Sequence, residues 1–351
     1  MKVLFFDSLM PKGHKPINNK YIGILCKMGI ELYVCEPESW FNSSEDIRIV
    51  EGDWSVPQSE EVGKAKYRKR IVQNIRKLRK TIENLNPDII YFASYDIIAT
   101  FFAIPYLYKY RSKIILQEHN NVDQLINNRI KFVIYNTYKN LFSHFVLEPY
   151  IKEKLIDIGV RDQLVCVVPH PITGEYYEGH DNEKLVVGLS NSNDETTVNQ
   201  MIEAQEKTHC FDSTECKFVI KSKSLSYKDE HLEIFNGWIS AEDYQYFSHK
   251  CEFFIIPFSM SNFSYRVSNV FMEAVSNSKR IIVSRTPLTE YYSNKYPHIC
   301  EIFDDISQIP KIVRNTNEHE YIESRKVFIN DHSDDTIAKA FNDAFEIKVK
   351  Q

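Results

Sequence analysis

Glycine is scarce, at 10 of 351 residues, and no glycine-rich phosphate loop is present. Neither GxGxxG nor GxxxxGK[ST] occurs, which argues against dinucleotide and P-loop nucleotide binding. Long apolar runs are missing too. The longest, IIATFFAIPYLY, is interrupted by Pro105, so no membrane-spanning helix is expected. The opening MKVLFFDSLMPKG turns polar too soon for a signal peptide and reads as a first buried strand. Seven cysteines form no CxxC pair and no Cys/His ligand spacing. Such a dispersed, odd set fits reduced cytosolic thiols and excludes a structural zinc. A net charge of −5 gives no general reason to expect a nucleic-acid partner.

What is present is globular: 43% hydrophobic and 26% charged residues, with 21 Tyr and 22 Phe. The length predicts two domains. Short β-branched runs alternate with amphipathic segments: KVLFF, ELYVCEP, DIIYFAS, KIILQEH, SHFVLEP and QLVCVVPHPI, with helices between them, including long ones over about 60–84 and 124–140. The stretch TGEYYEGHDNEK is polar and turn-rich. The alternation then restarts with LVVGLS, KFVIKSK, LEIFNG, FFIIPF and RIIVS, and a last helix covers about 334–346. This predicts an α/β protein with two Rossmann-like, doubly wound parallel-sheet domains facing a cleft. Their expected bounds are 1–172 and 185–330, joined by a linker over 173–184, with 331–351 a C-terminal helix packing back on the first domain.

Candidate chemistry falls at predicted strand ends. Gly13, His14 and Lys15 lie in the strand-to-helix loop DSLMPKGHKP, where backbone N–H groups can meet a phosphate or other substrate; a plain surface loop is the alternative. KIILQEH ends at His119 and Asn120, where a histidine suits acid–base or hydrogen-bonding work, or is a satisfied structural residue. His170, between Pro169 and Pro171, reads as structural. In the second half, Lys221 and Lys223 share one face by period-two alternation and suit a phosphate, or are merely solvated. Arg266 precedes the helix SNVFMEAVSN, which Ser268 or Asn269 can cap. The helix start, including the Val270 backbone, attracts an anion, and Arg266 adds a bidentate positive group. Glu273 sits among apolar neighbours and needs a partner, either a ligand hydroxyl pair or a protein group.

NPDIIYF, LQEHNNVD, VVPHPI and YRVSNVFMEAVSNSKRIIVS together resemble retaining GT-B glycosyltransferases, in particular the glycosyltransferase-four-like group of bacterial surface polysaccharide assembly. The resemblance follows nearly the whole chain, and its specific part is 252–284. It implies transfer of a sugar from a UDP- or GDP-sugar donor to a glycan or lipid-linked acceptor, with retention, without metal or other cofactor, in the cytoplasm or at the inner membrane face. By this resemblance the second half holds the donor. Glu273 matches the glutamate used on ribose hydroxyls, Tyr265 stands where the family has its other glutamate, and His119 matches a histidine beside the transferred sugar. The family's Arg and Lys after the first strand of that half are missing from GLSNSNDETT, so Arg266, Lys221 and Lys223 are the expected replacements. Gly13, His14, Lys15 and Asn120 fall on the acceptor side. A catalytically inactive scaffold and a nucleotide-sugar epimerase are the alternatives.

Residues 64–80, KAKYRKRIVQNIRKLRK, hold nine Lys and Arg and no acid. Ile71, Val72, Ile75 and Leu78 form an apolar stripe at helical spacing. The segment is either an amphipathic helix packed on its sheet or a contact for anionic lipid headgroups and lipid diphosphates.

Overall fold

The structure, a computed structural model, describes residues 1–10, 14–36, 47–173, 183–315 and 318–350. Two compact units emerge: 1–171 with 332–351, and 172–331.

In the first unit the strands are β1 (Lys2–Asp7), β2 (Glu31–Val34), β3 (Ile47–Ile49), β4 (Ile89–Ser94), β5 (Ile114–Gln117), β6 (Ser143–Val146) and β7 (Val165–Val167). They form one sheet in the order β3-β2-β1-β4-β5-β6-β7, parallel throughout. Helices α1 (Lys15–Lys27), α2 (Ser59–Val62), α3 (Lys64–Leu85), α4 (Ile97–Leu107), α5 (Asn121–Asn127), α6 (Arg129–Asn136) and α7 (Pro149–Asp157) connect them. Helices on both faces explain why β4, β5 and β6 read as continuous apolar runs rather than alternating ones.

The second unit repeats the plan with β8 (Leu185–Gly188), β9 (Lys217–Ser222), β10 (Tyr227–Lys228), β11 (Leu232–Asn236), β12 (Phe253–Ile256), β13 (Arg280–Ser284) and β14 (Glu301–Phe303). Their order is β10-β11-β9-β8-β12-β13-β14, and only the β10–β11 pair is antiparallel among the described pairings. Its helices are α8 (Glu195–Thr208), α9 (Ala241–Lys250), α10 (Asn269–Ser276), α11 (Pro287–Lys295), α12 (Ile309–Asn315) and α13 (Glu318–Asp331). Helix α14 (Asp334–Lys350) belongs to the first unit, where Ile337, Phe341 and Phe345 enter the core beside Tyr21, Tyr91 and Phe145. Phe341 stacks against Phe345 at 5.4 Å and meets Tyr21 edge-on at 5.5 Å. Each such ring contributes roughly 1.5–3 kcal/mol by leaving water.

Several elements differ from the sequence reading. The long helix over 60–84 is two, because Gly63 at φ 78° breaks it between α2 and α3. The helix over 124–140 is broken at Asn128, whose extended backbone ends α5 and whose side chain caps α6. Strands β3 and β14 and helices α11, α12 and α13 carried patterns too short or too polar to stand out. Most of the expected linker, 174–182, lies outside the described residues.

Candidate functional site

In the first sheet the strand order reverses between β1 and β4, and polar residues gather at the carboxyl ends of both. Asp7 closes β1, Ser94 closes β4, and Glu36 lies two residues past β2. Asp7 is buried. Its Oδ1 accepts the N–H groups of Leu9 and Met10 at 3.0 Å each and the Ser94 hydroxyl. Its Oδ2 accepts from His14 Nδ1 at 2.8 Å and Asn18 Nδ2 at 2.9 Å. The same Asn18 amide donates to Glu36 Oε1 at 2.8 Å.

The two carboxyls that Asn18 bridges ionise differently. Burial opposes charge on Asp7, yet the charge and hydrogen bond of His14, with the bonds from Ser94 and Met10, hold its carboxyl well below the usual range. Burial and the neighbouring Asp7 push Glu36 well above it. An ionised Asp7 can only accept, so His14 donates through Nδ1, and its Nε2 is the nitrogen left for other chemistry when the ring is neutral.

His14 stacks on His119, with ring centroids 4.9 Å apart and planes 22° from parallel. The structure therefore joins two of the sequence-derived candidates. Lys15, exposed, is the first residue of α1, with His14 at its N-cap position. Gly13 lies outside the described residues. Beneath His119, the fully buried Glu118 accepts from Tyr95 at 2.6 Å and Tyr135 at 3.2 Å and shares a hydrogen bond with His144 Nδ1 at 2.8 Å. His144 Nε2 donates to the Lys139 carbonyl at 2.7 Å. This polar network fixes the backbone that presents His119. Asn120 is the N-cap of α5, and its Oδ1 accepts from Gln124 at 2.7 Å. His170 is structural: it is buried, it donates through Nδ1 to the Pro171 carbonyl at 2.7 Å, and burial lowers its pKa to about 4.

In the second unit, Ser268 is the N-cap of α10 and accepts from the Phe271 N–H at 3.3 Å. Asn269 and Val270 are the first two helical residues, so their N–H groups are among those with no carbonyl partner within the helix. The Asn269 side chain accepts from Thr173 at 2.6 Å. Arg266 and Tyr265 are half-buried in the loop before the helix, and the Arg266 guanidinium lies 5.0 Å over the Phe263 ring. Glu273 does have a protein partner: Tyr244 on α9 donates to its Oε2 at 2.7 Å. Burial raises the Glu273 pKa, and that hydrogen bond partly offsets it.

The lysine pair needs correction. Strand β9 ends at Ser222, so Lys223 is an exposed turn residue and not a second position on one strand face, whereas Lys221 is buried in the strand. Both nevertheless line one cavity of about 290 Å³ with Glu195 and Trp238. Trp238 is 90% exposed, and Lys221 Nζ lies 5.8 Å from its ring centre. Where the resemblance implied an Arg and a Lys, acids occupy the start of α8. Asp194 caps it, accepting from the Thr197 N–H at 3.1 Å. Glu195 accepts from Ser222 and from the Lys223 N–H, each at 2.8 Å, stapling the β9 turn to the helix. A larger cavity of about 770 Å³, lined by Phe258, Arg285 and Asp304, includes neither Glu273 nor Lys221.

The apolar stripe of the basic helix faces inward. Ile71, Ile75 and Leu78 are buried with Asn74 and Ile82, and Val72 is half-buried. Arg68, Arg70 and Arg79 pair with Asp96, Asp53 and Glu83. The helix thus offers an outer surface charge rather than an inserting face. Among the described residues, no helix is long and apolar enough to cross a membrane, and no group of three or more His, Cys, Asp or Glu could hold a metal ion.

Sequence position hid Asp7, Asn18, Glu36, Glu118, Glu195, Trp238 and Tyr244. Asp7, Glu36 and Glu118 carried one usable signal, a carboxylate at or just past the end of an apolar run. Tyr244 and Asn18 carried none, because each reaches its partner from a different element.

Comparison with known proteins agrees with this architecture. No curated protein matches the sequence. The structure is similar to Anabaena HepE in complex with UDP, at TM-score 0.67 and 12% identity, covering 99% of this chain and 100% of that one. It is similar to sucrose-phosphate synthase from Thermosynechococcus elongatus, at TM-score 0.65 and 10% identity over 98% of both chains. It is also similar to an enzyme described as UDP-N-acetylglucosamine 2-epimerase from Listeria monocytogenes, at TM-score 0.53 and 16% identity, over 97% of this chain and 91% of that one. Residues 24–175 match the family model of Glycosyltransferase Family 4. The chain therefore has a GT-B architecture of two Rossmann-like sheets, and its residues 24–175, fewer than half of the chain, are similar to Glycosyltransferase Family 4.

Proposed function

We propose that the protein is a glycosyltransferase that moves a hexosyl group from a nucleotide-sugar donor, UDP- or GDP-linked, to a glycan or lipid-linked acceptor in polysaccharide assembly, with retention. The observation that carries this reading is the arrangement at α10. There Arg266, the capped helix start and the half-buried Glu273 follow one another within three turns of chain. That order suits a diphosphate followed by a ribose. The UDP complexes of HepE and the family match over 24–175 support it.

In this reading the second unit holds the donor and the first the acceptor. Arg266 and the Asn269 and Val270 N–H groups take up charge on the leaving diphosphate, and Glu273 accepts from ribose hydroxyls. Lys221 and Lys223 add positive charge, and Tyr265 contacts the donor sugar. The exposed Trp238 ring gives the nucleotide base a stacking surface. The bond from the anomeric carbon to the diphosphate oxygen breaks and the acceptor oxygen bonds from the same face. The acceptor proton passes to the departing phosphate oxygen. His119 and His14 hydrogen-bond the reacting hydroxyls, with Lys15 and Asn120 beside them. No metal ion or other cofactor has a role. The protein works in the cytoplasm, with the charged face of α3 at the inner membrane surface.

Calorimetry against UDP, GDP and CMP, and against their sugar conjugates, tests this. One base should be preferred, and Glu273→Ala and Arg266→Ala should each weaken binding by about tenfold or more. Trp238→Ala should lose about 1–3 kcal/mol of affinity. Unchanged affinity in both Glu273→Ala and Arg266→Ala would sink the site assignment. A second reading, a non-catalytic scaffold, rests on the acids at the start of α8 and on Tyr265, and failure to bind any of these nucleotides would favour it. Donor consumption with no acceptor present would instead indicate an epimerase.

A further inference from the structure

Positive charge in the first unit gathers where the helix backbone opposes it. Lys64 is the first residue of α3, Arg68 lies one turn further, and Lys131 is the third residue of α6. Neither helix has an acid in its first turn, and α3 has no side-chain cap. Unpaired N–H groups give a helix start partial positive charge, so cations there cost stability.

The three cations line one open cavity of about 490 Å³, together with Tyr67 and Asn120. Asp96 is the one carboxylate among the described residues that line it. Part of its charge is already engaged: it pairs with Arg68 at 3.3 Å and caps α4 through the Ala99 N–H at 2.7 Å. Burial lowers the pKa of Lys131; attraction to Asp96 opposes that, and repulsion from Arg68 and Lys64 adds to it, so the three cations act on one another. Ile130 lines the cavity beside them at 68% exposure. Converging cations, two helix starts and a polar floor match a phosphoryl group, whose charge would offset the repulsion.

We propose that this cavity seats the phosphoryl group of a phosphorylated acceptor, held by Lys64, Arg68 and Lys131 with Asn120 and Tyr67 as polar contacts. Naming the ligand an acceptor rests on the glycosyl-transfer reading; the anion site itself does not. The phosphoryl group can come from a lipid carrier or from a free sugar phosphate.

The test is calorimetry with inorganic pyrophosphate at low salt, with UDP saturating so that any donor site is filled. The wild type should bind. Lys64→Gln/Lys131→Gln should weaken binding by about tenfold or more. Its melting temperature should hold or rise, because two cations leave helix starts. Arg76→Gln/Lys80→Gln, further along the exposed face of α3, should bind as the wild type does. No binding by the wild type, equal binding by the first variant, or equal loss in the second overturns the proposal. Two arms separate the sources. Displacement of pyrophosphate by glucose 6-phosphate supports a free sugar phosphate. Cosedimentation of the wild type, but not of Lys64→Gln/Lys131→Gln, with phosphatidylcholine vesicles containing phosphatidate supports a lipid carrier. Failure of both arms overturns it. UDP titrated alone reports separately on the transferase reading: a chain that binds pyrophosphate through Lys64 and Lys131 but binds no nucleotide keeps this site and loses that reading.

Discussion

His14 and His119 stack face to face, 4.9 Å between ring centroids, although one follows β1 and the other follows β5. Asp7 sets the geometry of the pair, because its carboxylate accepts the hydrogen bond from His14 Nδ1 and anchors the ring.

Asp7→Asn tests that anchor. The folded carboxyl sits well below its ordinary pKa, so it contributes stability above the unfolded value of about 3.9. That contribution is lost as pH falls through the folded value. The variant should lose about 2–4 kcal/mol at neutral pH, because a buried network loses its charged centre. The gap between wild type and variant should narrow as pH falls below about 4. Urea denaturation across that range reads both effects. A constant gap at all pH values would mean that Asp7 is not ionised in the folded state.

Much of this arrangement was legible in the sequence, for a physical reason. Strands buried on both faces must be apolar, so VLFF, IIYFAS and FFIIPF declare themselves, and the polar residues that follow mark the carboxyl edge. That located His119, His14 and the α10 start. Partnerships across elements were not legible. Nothing in the spacing of Asn18 and Glu36, or of Tyr244 and Glu273, says that a turn of chain brings them to hydrogen-bond distance. The broken helices misled because amphipathic periodicity runs through Gly63 and Asn128 while the backbone does not. The lysines misled in the same way, since alternation was extended past the true end of β9.

Glu273 should show a trade between stability and binding. Burial raises its folded pKa, so the folded state holds its proton more tightly and loses stability as pH rises from the unfolded value through the folded one. Glu273→Gln removes that penalty and can still accept from Tyr244. The variant should melt at a higher temperature than the wild type at pH 7 while binding nucleotide about tenfold or more weakly. Thermal melts and nucleotide titration on the same preparation read the two together. A lower melting temperature with unchanged nucleotide affinity would make Glu273 a structural residue.

Lys348 gives a prediction at alkaline pH. It sits on α14, buried, with Nζ donating to the Ser143 hydroxyl at 2.7 Å, and burial lowers its pKa to about 8. Between that value and the unfolded value of about 10.4, the unfolded chain binds the extra proton, so this group makes stability rise with pH. At pH 7 the folded state carries the cost of a buried ammonium. Lys348→Met keeps the length of the side chain and removes the charge, so it should stabilise the protein at pH 7 by about 1–3 kcal/mol, and the gain should shrink as pH rises toward 10. Chemical denaturation of both proteins at several pH values isolates the effect, because tyrosines and cysteines titrate alike in the two and cancel in the difference. A gain that did not change with pH would place its origin in packing rather than in charge.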